Sequence, residues 1–203
     1  MYKSYNEIIE LIKNNKISIF NNLDIESIEV YKFLVNRFKE TNDITKDEVY
    51  IFLYRSFYRI DNAGLTKQFK KEYFQILQDY RNTNEPTNDL IKAIAKRLDQ
   101  FVTLRNFNSF QFSFISKMLN TINIHSPIWD SEVREVFKFP EILSRWTLDK
   151  KIEKAIIQLS YMVVVYKEIE ESQELNDIMQ EFDEKYKTAK LSFNKKIDFI
   201  LDR

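Results

Sequence analysis

Residues 147–171 have the sequence TLDKKIEKAIIQLSYMVVVYKEIEE, and this stretch decides the fold class. Its segment YMVVVY, residues 161–166, has the aromatic and β-branched side chains that strands favour. The residues on both sides continue an apolar period of 3.6, which is typical of a helix. From Ala155 to Val165 this helix is apolar almost all round, which predicts that it is the buried centre of a helical bundle.

Capping signals divide the rest of the chain into further helices. Ser4-x-x-Glu7 and Thr45-x-x-Glu48 are capping boxes, in which a hydroxyl and a carboxylate satisfy the free amides of a first turn. The single glycine, Gly64, is typical of a helix end. We expect helices to start at or just after Ser4, Asp24, Thr45, Thr66, Asn88, Asn108 or Ser109, Asp130, Thr147, Ser172 and Leu191. The prediction is an all-α fold, a multi-helix bundle of about ten helices.

The domain organisation is open between two arrangements. A chain of 203 residues fits one all-helical domain over residues 1–203. It also fits two lobes with a cleft, in which residues 45–146 are the core helices and residues 1–44 pack with residues 147–203. In either arrangement we expect the first helix to end near Asn14.

The residue types that are missing exclude several classes of function. The chain has no cysteine, one histidine and one glycine. Without cysteine it has no disulfide, thiolate metal site or thiol nucleophile, and one histidine rules out a multi-histidine metal site. One glycine cannot build a glycine-rich phosphate loop. We therefore expect no metal and no cofactor.

The charge balance and the hydropathy pattern bear on partners and location. The chain has 31 Lys and Arg against 31 Asp and Glu, so its net charge gives no general signal for a polyanionic partner. The N-terminal segment lacks the apolar run of a signal peptide. The longest apolar-rich stretch, residues 155–166, is shorter than the roughly 20 residues that cross a bilayer. We expect a cytoplasmic protein without membrane contact.

Two adjacent charge blocks lie near the C-terminus. Residues 168–184 hold eight acids and no Lys or Arg, and residues 185–196 hold five Lys and no acid. Such runs are typical of solvated helix faces, and the alternative is a contact surface for a protein partner across residues 168–196. A weaker basic bias, five Lys or Arg against two acids, covers residues 86–118. If this segment and Arg134 form one patch, we expect weak binding of duplex DNA that decreases as the salt concentration rises.

One segment resembles a known family. Residues 112–137 have the sequence FSFISKMLNTINIHSPIWDSEVREVF, in which a helix leads through an apolar loop to Asp130 at the start of the next helix. This segment resembles the helix-hairpin-helix DNA glycosylase superfamily around its catalytic aspartate, with Asp130, Val133 and Arg134 at comparable positions. The resemblance implies a helical core, a DNA partner and a catalytic role for Asp130.

The chain departs from that family's pattern at two places. Residues 103–112, TLRNFNSFQF, lack the two glycines with which the family's hairpin brings backbone amides to DNA phosphate. Lys117, the candidate for the lysine of the lyase-competent members, lies 13 residues before Asp130, closer than in the family. These departures leave open whether DNA contact and catalysis are retained.

Chemistry alone also makes Lys117 and Asp130 the candidate catalytic residues. Lys117 shares a helix face with Ser113 and Asn120, at spacings of four and three. In a cleft, a desolvated Lys117 would be an amine nucleophile, and Asp130 would stabilise a cation that develops on a sugar or orient a water. The alternatives are a solvated Lys117 and an Asp130 that is an ordinary helix N-cap.

Arg134, Trp129 and Arg105 are the candidates for nucleic-acid binding. Trp129 would stack on a base, or else anchor its loop in the core. Two classes of function remain open. The segment around Asp130 favours a nucleic-acid-associated protein with a glycosylase-like fold, active or inactive. The zero net charge and the missing hairpin glycines favour a non-enzymatic helical interaction module.

Overall fold

The computed structural model describes residues 2–201. These residues form ten α-helices and no strand, which confirms the all-α prediction for this part of the chain. Two short 3-10 turns, Ile44–Lys46 and Ile60–Ala63, flank the third helix. The helices are α1 (Tyr5–Asn22), α2 (Ile25–Glu40), α3 (Glu48–Phe57), α4 (Lys67–Asp79), α5 (Asn88–Leu98), α6 (Phe112–Ile122), α7 (Ser131–Phe137), α8 (Leu148–Ser172), α9 (Asn176–Tyr186) and α10 (Phe193–Leu201).

Side-chain caps account for most helix starts. The residues that accept a hydrogen bond from a first-turn amide include Ser4, Asp24, Thr66, Thr87, Asp130 and Thr147. The capping box predicted at Thr45 is wrong, because Thr45 lies in a 3-10 turn. Asp47 caps α3 instead and accepts the Tyr50 amide hydrogen bond at 3.0 Å. Its carboxylate also accepts a hydrogen bond from Arg37 of α2 at 2.5 Å, a contact between helices that a local pattern does not contain.

Contacts outside the helices set the boundaries that differ from the predictions. Helix α1 continues well beyond Asn14, because Ile19 in its last turns is buried. Helix α6 begins at Phe112 and not at residue 108 or 109. The preceding loop is held by Thr103, whose amide donates to the Phe107 carbonyl at 2.9 Å. Helix α8 ends where Gln173 adopts a φ of 59°, so α9 starts later than predicted.

The long helix α8 is buried on one side and exposed on the other. Its segment 161–166 is helical, as predicted. Met162 and Tyr166 are fully buried, whereas Ile157 and Val164 are exposed. The prediction of an all-round buried central helix is therefore wrong: α1, α5 and α10 pack against α8, but one side of its middle stays exposed. No helix within residues 2–201, α8 included, is long and apolar enough to cross a membrane.

Two hydrophobic clusters make up the core. The first joins α3, α4, α5 and α6 with the first half of α8, and the second joins α1, α7, α9 and α10 with its second half. Helix α2 contributes Leu34 to the first cluster and Tyr31 to the second. Phe57 and Trp129 pack against both. Helix α7, which the two-lobe arrangement counts among the core helices, packs in the second cluster.

The charged C-terminal helices direct part of their charge into the molecule. Lys195 and Lys196 of α10 are buried, and the Lys196 Nζ lies 2.7 Å from an Asp183 carboxylate oxygen of α9. Two lysines of α1 pair with acids of the same region. The prediction of solvated faces is wrong for the two lysines of α10, because this helix packs into the second cluster. A protein partner at residues 168–196 stays a prediction.

Candidate active site

A cavity of about 430 Å³ lies where the two hydrophobic clusters meet. We name it the junction cavity. Four segments line its wall: residues 57–59 at the end of α3, residues of α6 between 113 and 117, residues between 128 and 133 where α7 begins, and residues of α10 between 195 and 199. The volume is within the range of roughly 300–1,000 Å³ that is usual for small-molecule sites.

The junction cavity holds both residues that the sequence predicts as catalytic. The Lys117 Nζ lies 3.8 Å from the Asp130 Oδ2, and their side chains are only 15% and 16% exposed. Lys117 also donates a hydrogen bond to the Ser113 Oγ at 3.1 Å. Its ammonium group lies 5.9 and 5.5 Å from the ring centroids of Tyr58 and Phe114. Lys117 is therefore half-buried beside two aromatic rings and is not fully solvated.

Asp130 is a helix cap and a cavity residue at once. Its Oδ1 accepts the Val133 amide hydrogen bond at 3.2 Å, which caps α7. Its Oδ2 is the oxygen nearest Lys117. The two interpretations of Asp130 from the sequence are compatible, since each uses a different oxygen of the carboxylate.

Buried hydrogen bonds fasten the loop that carries Asp130. The Asn120 amide donates to the Ser126 carbonyl at 2.7 Å, and the Ser116 hydroxyl lies 3.0 Å from the Trp129 backbone nitrogen, whose N–H it accepts. Asn120 and Ser116 are fully buried. The polar side chains Ser116 and Asn120 of α6 therefore anchor this loop and fix the position of Asp130 relative to Lys117.

Two further ionisable residues, Lys195 and Asp198, line the same cavity from α10. Both residues are only 4% exposed. The Asp198 Oδ1 accepts hydrogen bonds from the Ile128 amide at 3.2 Å and from the Tyr166 hydroxyl at 3.0 Å. Burial raises the pKa of Asp198 from its usual 3.8 to about 7. Lys195 and the two hydrogen bonds oppose this rise, and Asp130 adds to it.

The sequence argument missed Lys195 and Asp198, because it treated the lysine-rich block as surface. A usable signal was present in the segment KKIDFIL, residues 195–201, where Lys195 and Asp198 are three positions apart on a helix that also contains four apolar residues. Charges on the apolar face of a helix indicate buried and paired groups, which are typical of functional sites.

Arg59 lies at the rim of the junction cavity with its side chain exposed. Its backbone adopts a φ of 54° and a ψ of 31°, the left-handed region that non-glycine residues rarely occupy. Within residues 2–201 no carboxylate oxygen lies within 4.0 Å of its guanidinium group. Arg59 is thus an exposed cation on a fixed backbone at the cavity mouth.

The predicted nucleic-acid-binding residues lie outside the junction cavity. Trp129 donates its indole N–H to the Gln158 Oε1 at 2.8 Å, so it anchors its loop. Its ring also packs edge-on against Phe112. Trp129 and Arg134 line a separate cavity of about 470 Å³. Arg105 is exposed in the loop before α6. The structure therefore brings together Lys117 and Asp130 and leaves these three elsewhere.

Most cations of the basic segment 86–118 are already neutralised. Arg97 pairs with Glu72 and with Asp79, the latter at 2.7 Å. Lys92 and Lys96 also lie within 3.2 Å of carboxylate oxygens, and Lys117 pairs with Asp130. Four of the five cations in this segment therefore lie beside acids, and DNA binding by a basic patch stays a prediction.

No protein-family model, curated protein or solved structure matches this chain. The fold and the site together define an all-α protein with a half-buried lysine–carboxylate pair in a cavity between two clusters. The likeness of residues 112–137 to the helix-hairpin-helix glycosylases stays a prediction.

Proposed function

We propose that the junction cavity accepts a nucleotide that is extruded from a DNA strand and cleaves its N-glycosidic bond. The observation that carries this proposal is the pair of Lys117 and Asp130, which lie 3.8 Å apart in a cavity lined by aromatic side chains. The resemblance of residues 112–137 to DNA glycosylases supports the same reaction class.

Asp130 and Lys117 have the chemistry that this reaction needs. Cleavage of an N-glycosidic bond builds positive charge on the sugar, and a fixed carboxylate stabilises that charge. The Lys117 ammonium group gives a proton to solvent water, and the resulting amine attacks C1′ while the Asp130 carboxylate stays ionised beside the positive charge. The bond between C1′ and the base then breaks, its electron pair goes to the base nitrogen, and the base takes a proton from solvent. The C1′–O4′ bond opens next: O4′ takes the proton that the attached nitrogen loses, and a protonated imine joins Lys117 to C1′.

The walls of the cavity suit a nucleobase and its sugar. Phe57, Tyr58, Phe114 and Phe199 provide aromatic surface, and stacking on such side chains holds a base without regard to its sequence context. Arg59 at the rim is an exposed cation for a backbone phosphate. Because most other cations of the basic segment are paired, we expect weak DNA affinity in which the flipped nucleotide supplies much of the contact.

The test is to trap the imine on DNA that carries an abasic site. The abasic aldehyde condenses with the Lys117 amine, water leaves, and borohydride reduces the imine to a stable amine. We expect a one-to-one covalent adduct with the wild type and with Lys151→Met, which removes a lysine outside the junction cavity. Lys117→Met should lose the adduct while circular dichroism shows an intact fold.

An adduct that persists in Lys117→Met would exclude the nucleophile, and no adduct with the wild type would reject the proposed reaction. A panel of duplexes with damaged or mismatched bases then tests base release by the same variants. If Lys117→Met releases bases but forms no adduct, catalysis is assigned to Asp130 and a water molecule.

A further inference from the structure

An exposed apolar face runs along the middle of α8. Ile157, Val163 and Val164 are 42%, 47% and 52% exposed. The other side of the same helix is buried in the two hydrophobic clusters. Scattered apolar side chains are normal on a protein surface, whereas a contiguous group on one helix face is a common mark of a protein interface. This face is separate from the junction cavity, whose walls come from other elements.

The exposed residues of this face have the spacing of two helices that pack lengthwise. Five of them are separated in turn by four, three, four and three positions: Glu153, Ile157, Ser160, Val164 and Lys167. We name these five residues the α8 seam. The same spacing keeps the contact residues of paired helices in one line. The small side chain of Ser160 at the centre lets a second helix approach closely.

The two ends of the α8 seam carry opposite charges at equal distances from its centre. Glu153 precedes Ser160 by seven residues and Lys167 follows it by seven, which is about 10 Å in each direction. The two charges are therefore about 21 Å apart along the helix and cannot pair with each other in one chain. Each has an ion pair of 3.6 Å with a neighbour, Lys154 or Glu171. Such exposed pairs are weak and leave both side chains able to contact another molecule.

We infer that the α8 seam is the interface of a homodimer in which two copies of α8 pack antiparallel about a two-fold axis at Ser160. The reversal of the second copy sets Ile157 against its Val164 and Glu153 against its Lys167. Because a two-fold axis repeats every contact, the interface has two apolar pairs and two ion pairs.

The charges select the antiparallel arrangement. A parallel copy in register would set Glu153 against Glu153 and Lys167 against Lys167, and like charges across an interface oppose association. The affinity follows from the size of the surface. Stable dimers bury roughly 800 Å² per partner, and the five residues of the α8 seam offer less than this. We therefore expect a weak dimer with a Kd of about 10–100 µM.

The test is sedimentation equilibrium at low salt, over concentrations from about 5 to 500 µM that bracket this Kd. Glu153→Lys and Lys167→Glu should each weaken self-association by about tenfold or more, because each sets like charges against each other twice across the axis. An equimolar mixture of these two variants should associate again as a heterodimer, because every charge pair then joins a lysine to a glutamate.

Two further variants control this experiment. Val164→Asp places a charge in the apolar part of the α8 seam and should abolish association. Glu85→Lys makes the same change of charge as Glu153→Lys at an exposed loop position, and it should associate as the wild type does. Circular dichroism checks that each variant keeps the helical fold.

A wild-type protein that stays monomeric over the whole concentration range would overturn the inference. Self-association that survives Val164→Asp would place the interface elsewhere and overturn it as well. A mixture of the two charge variants that associates no better than either variant alone would reject the antiparallel pairing of Glu153 with Lys167.

Discussion

The pH dependence of folding stability tests directly how Asp198 is buried. The groups that act most strongly on it come from several elements: Lys195 on α10, the Ile128 amide, Tyr166 on α8, and Asp130 at the start of α7. Tyr31 on α2 and Tyr58 after α3 also lie near its carboxyl group. Burial outweighs the attraction of Lys195, so the folded protein holds the Asp198 proton up to about pH 7. In the unfolded chain the same carboxyl loses its proton near 3.8.

The sign of the effect follows from proton counting. Between pH 4 and pH 7 the folded state binds more protons at Asp198 than the unfolded state, so ionisation of this group lowers stability as the pH rises. The rise in pKa from 3.8 to about 7 corresponds to about 4 kcal/mol in total. Roughly 2–3 kcal/mol of this loss falls between pH 5 and pH 8.

The assay is urea unfolding of the wild type and of Asp198→Asn at several values between pH 5 and pH 8. Asn cannot ionise, so the stability of the variant relative to the wild type should increase by roughly 2–3 kcal/mol across this range. Subtraction removes the other titrating groups, which are common to both proteins. Asp89→Asn, which removes an exposed carboxylate, controls for surface charge. A difference that stays constant with pH, or that shifts in favour of the wild type, would refute the reasoning.

Two substitutions separate structural from functional roles at the cavity mouth. Asp130→Asn should keep the cap on the Val133 amide and leave the melting temperature unchanged, but it should abolish base release. Asp130→Ala should abolish base release and also cost about 0.5–2 kcal/mol of stability. Full activity of the Asn variant would show that Asp130 acts only as a helix cap. Arg59→Gly should stabilise the fold by about 0.5–1 kcal/mol, because glycine adopts a positive φ without strain, and should reduce the slope of log affinity for DNA against log salt by about 1. An unchanged slope would remove Arg59 from the phosphate contact.

The sequence predicts those parts of this fold that depend on neighbouring residues. Hydroxyl and carboxylate caps satisfy amides three residues away, so helix starts at Ser4, Asp24 and Thr147 are recognisable in the chain alone. The predicted cap at Thr45 is wrong because Asp47, which forms a salt bridge with Arg37 of another helix, caps α3 instead. The prediction that α8 is buried all round is wrong for the same reason, because the helices that pack against α8 are distant from it in sequence.

The candidate site also has one part that depends on local sequence and one part that depends on long-range packing. Lys117 and Asp130 are 13 residues apart, on successive helices joined by a fastened loop, so a local motif is enough to predict that they act together. Lys195 and Asp198 reach the same cavity from a helix that is about 65 residues further along the chain. Charge runs usually indicate solvated faces, and only the packing of α10 into the second cluster reverses that interpretation.

The electrostatic balance of the junction cavity favours a ligand site over a purely structural polar core. Three cations, Arg59, Lys117 and Lys195, face three acids, Asp130, Glu132 and Asp198. A structural network is stable when each buried polar atom has a partner, and apolar residues of the same volume are often the more stable choice. Here the Asp198 Oδ2 has no partner among the described residues. An unmet hydrogen bond at a buried oxygen costs stability, so folding stability alone does not explain the carboxyl group of Asp198 at this position.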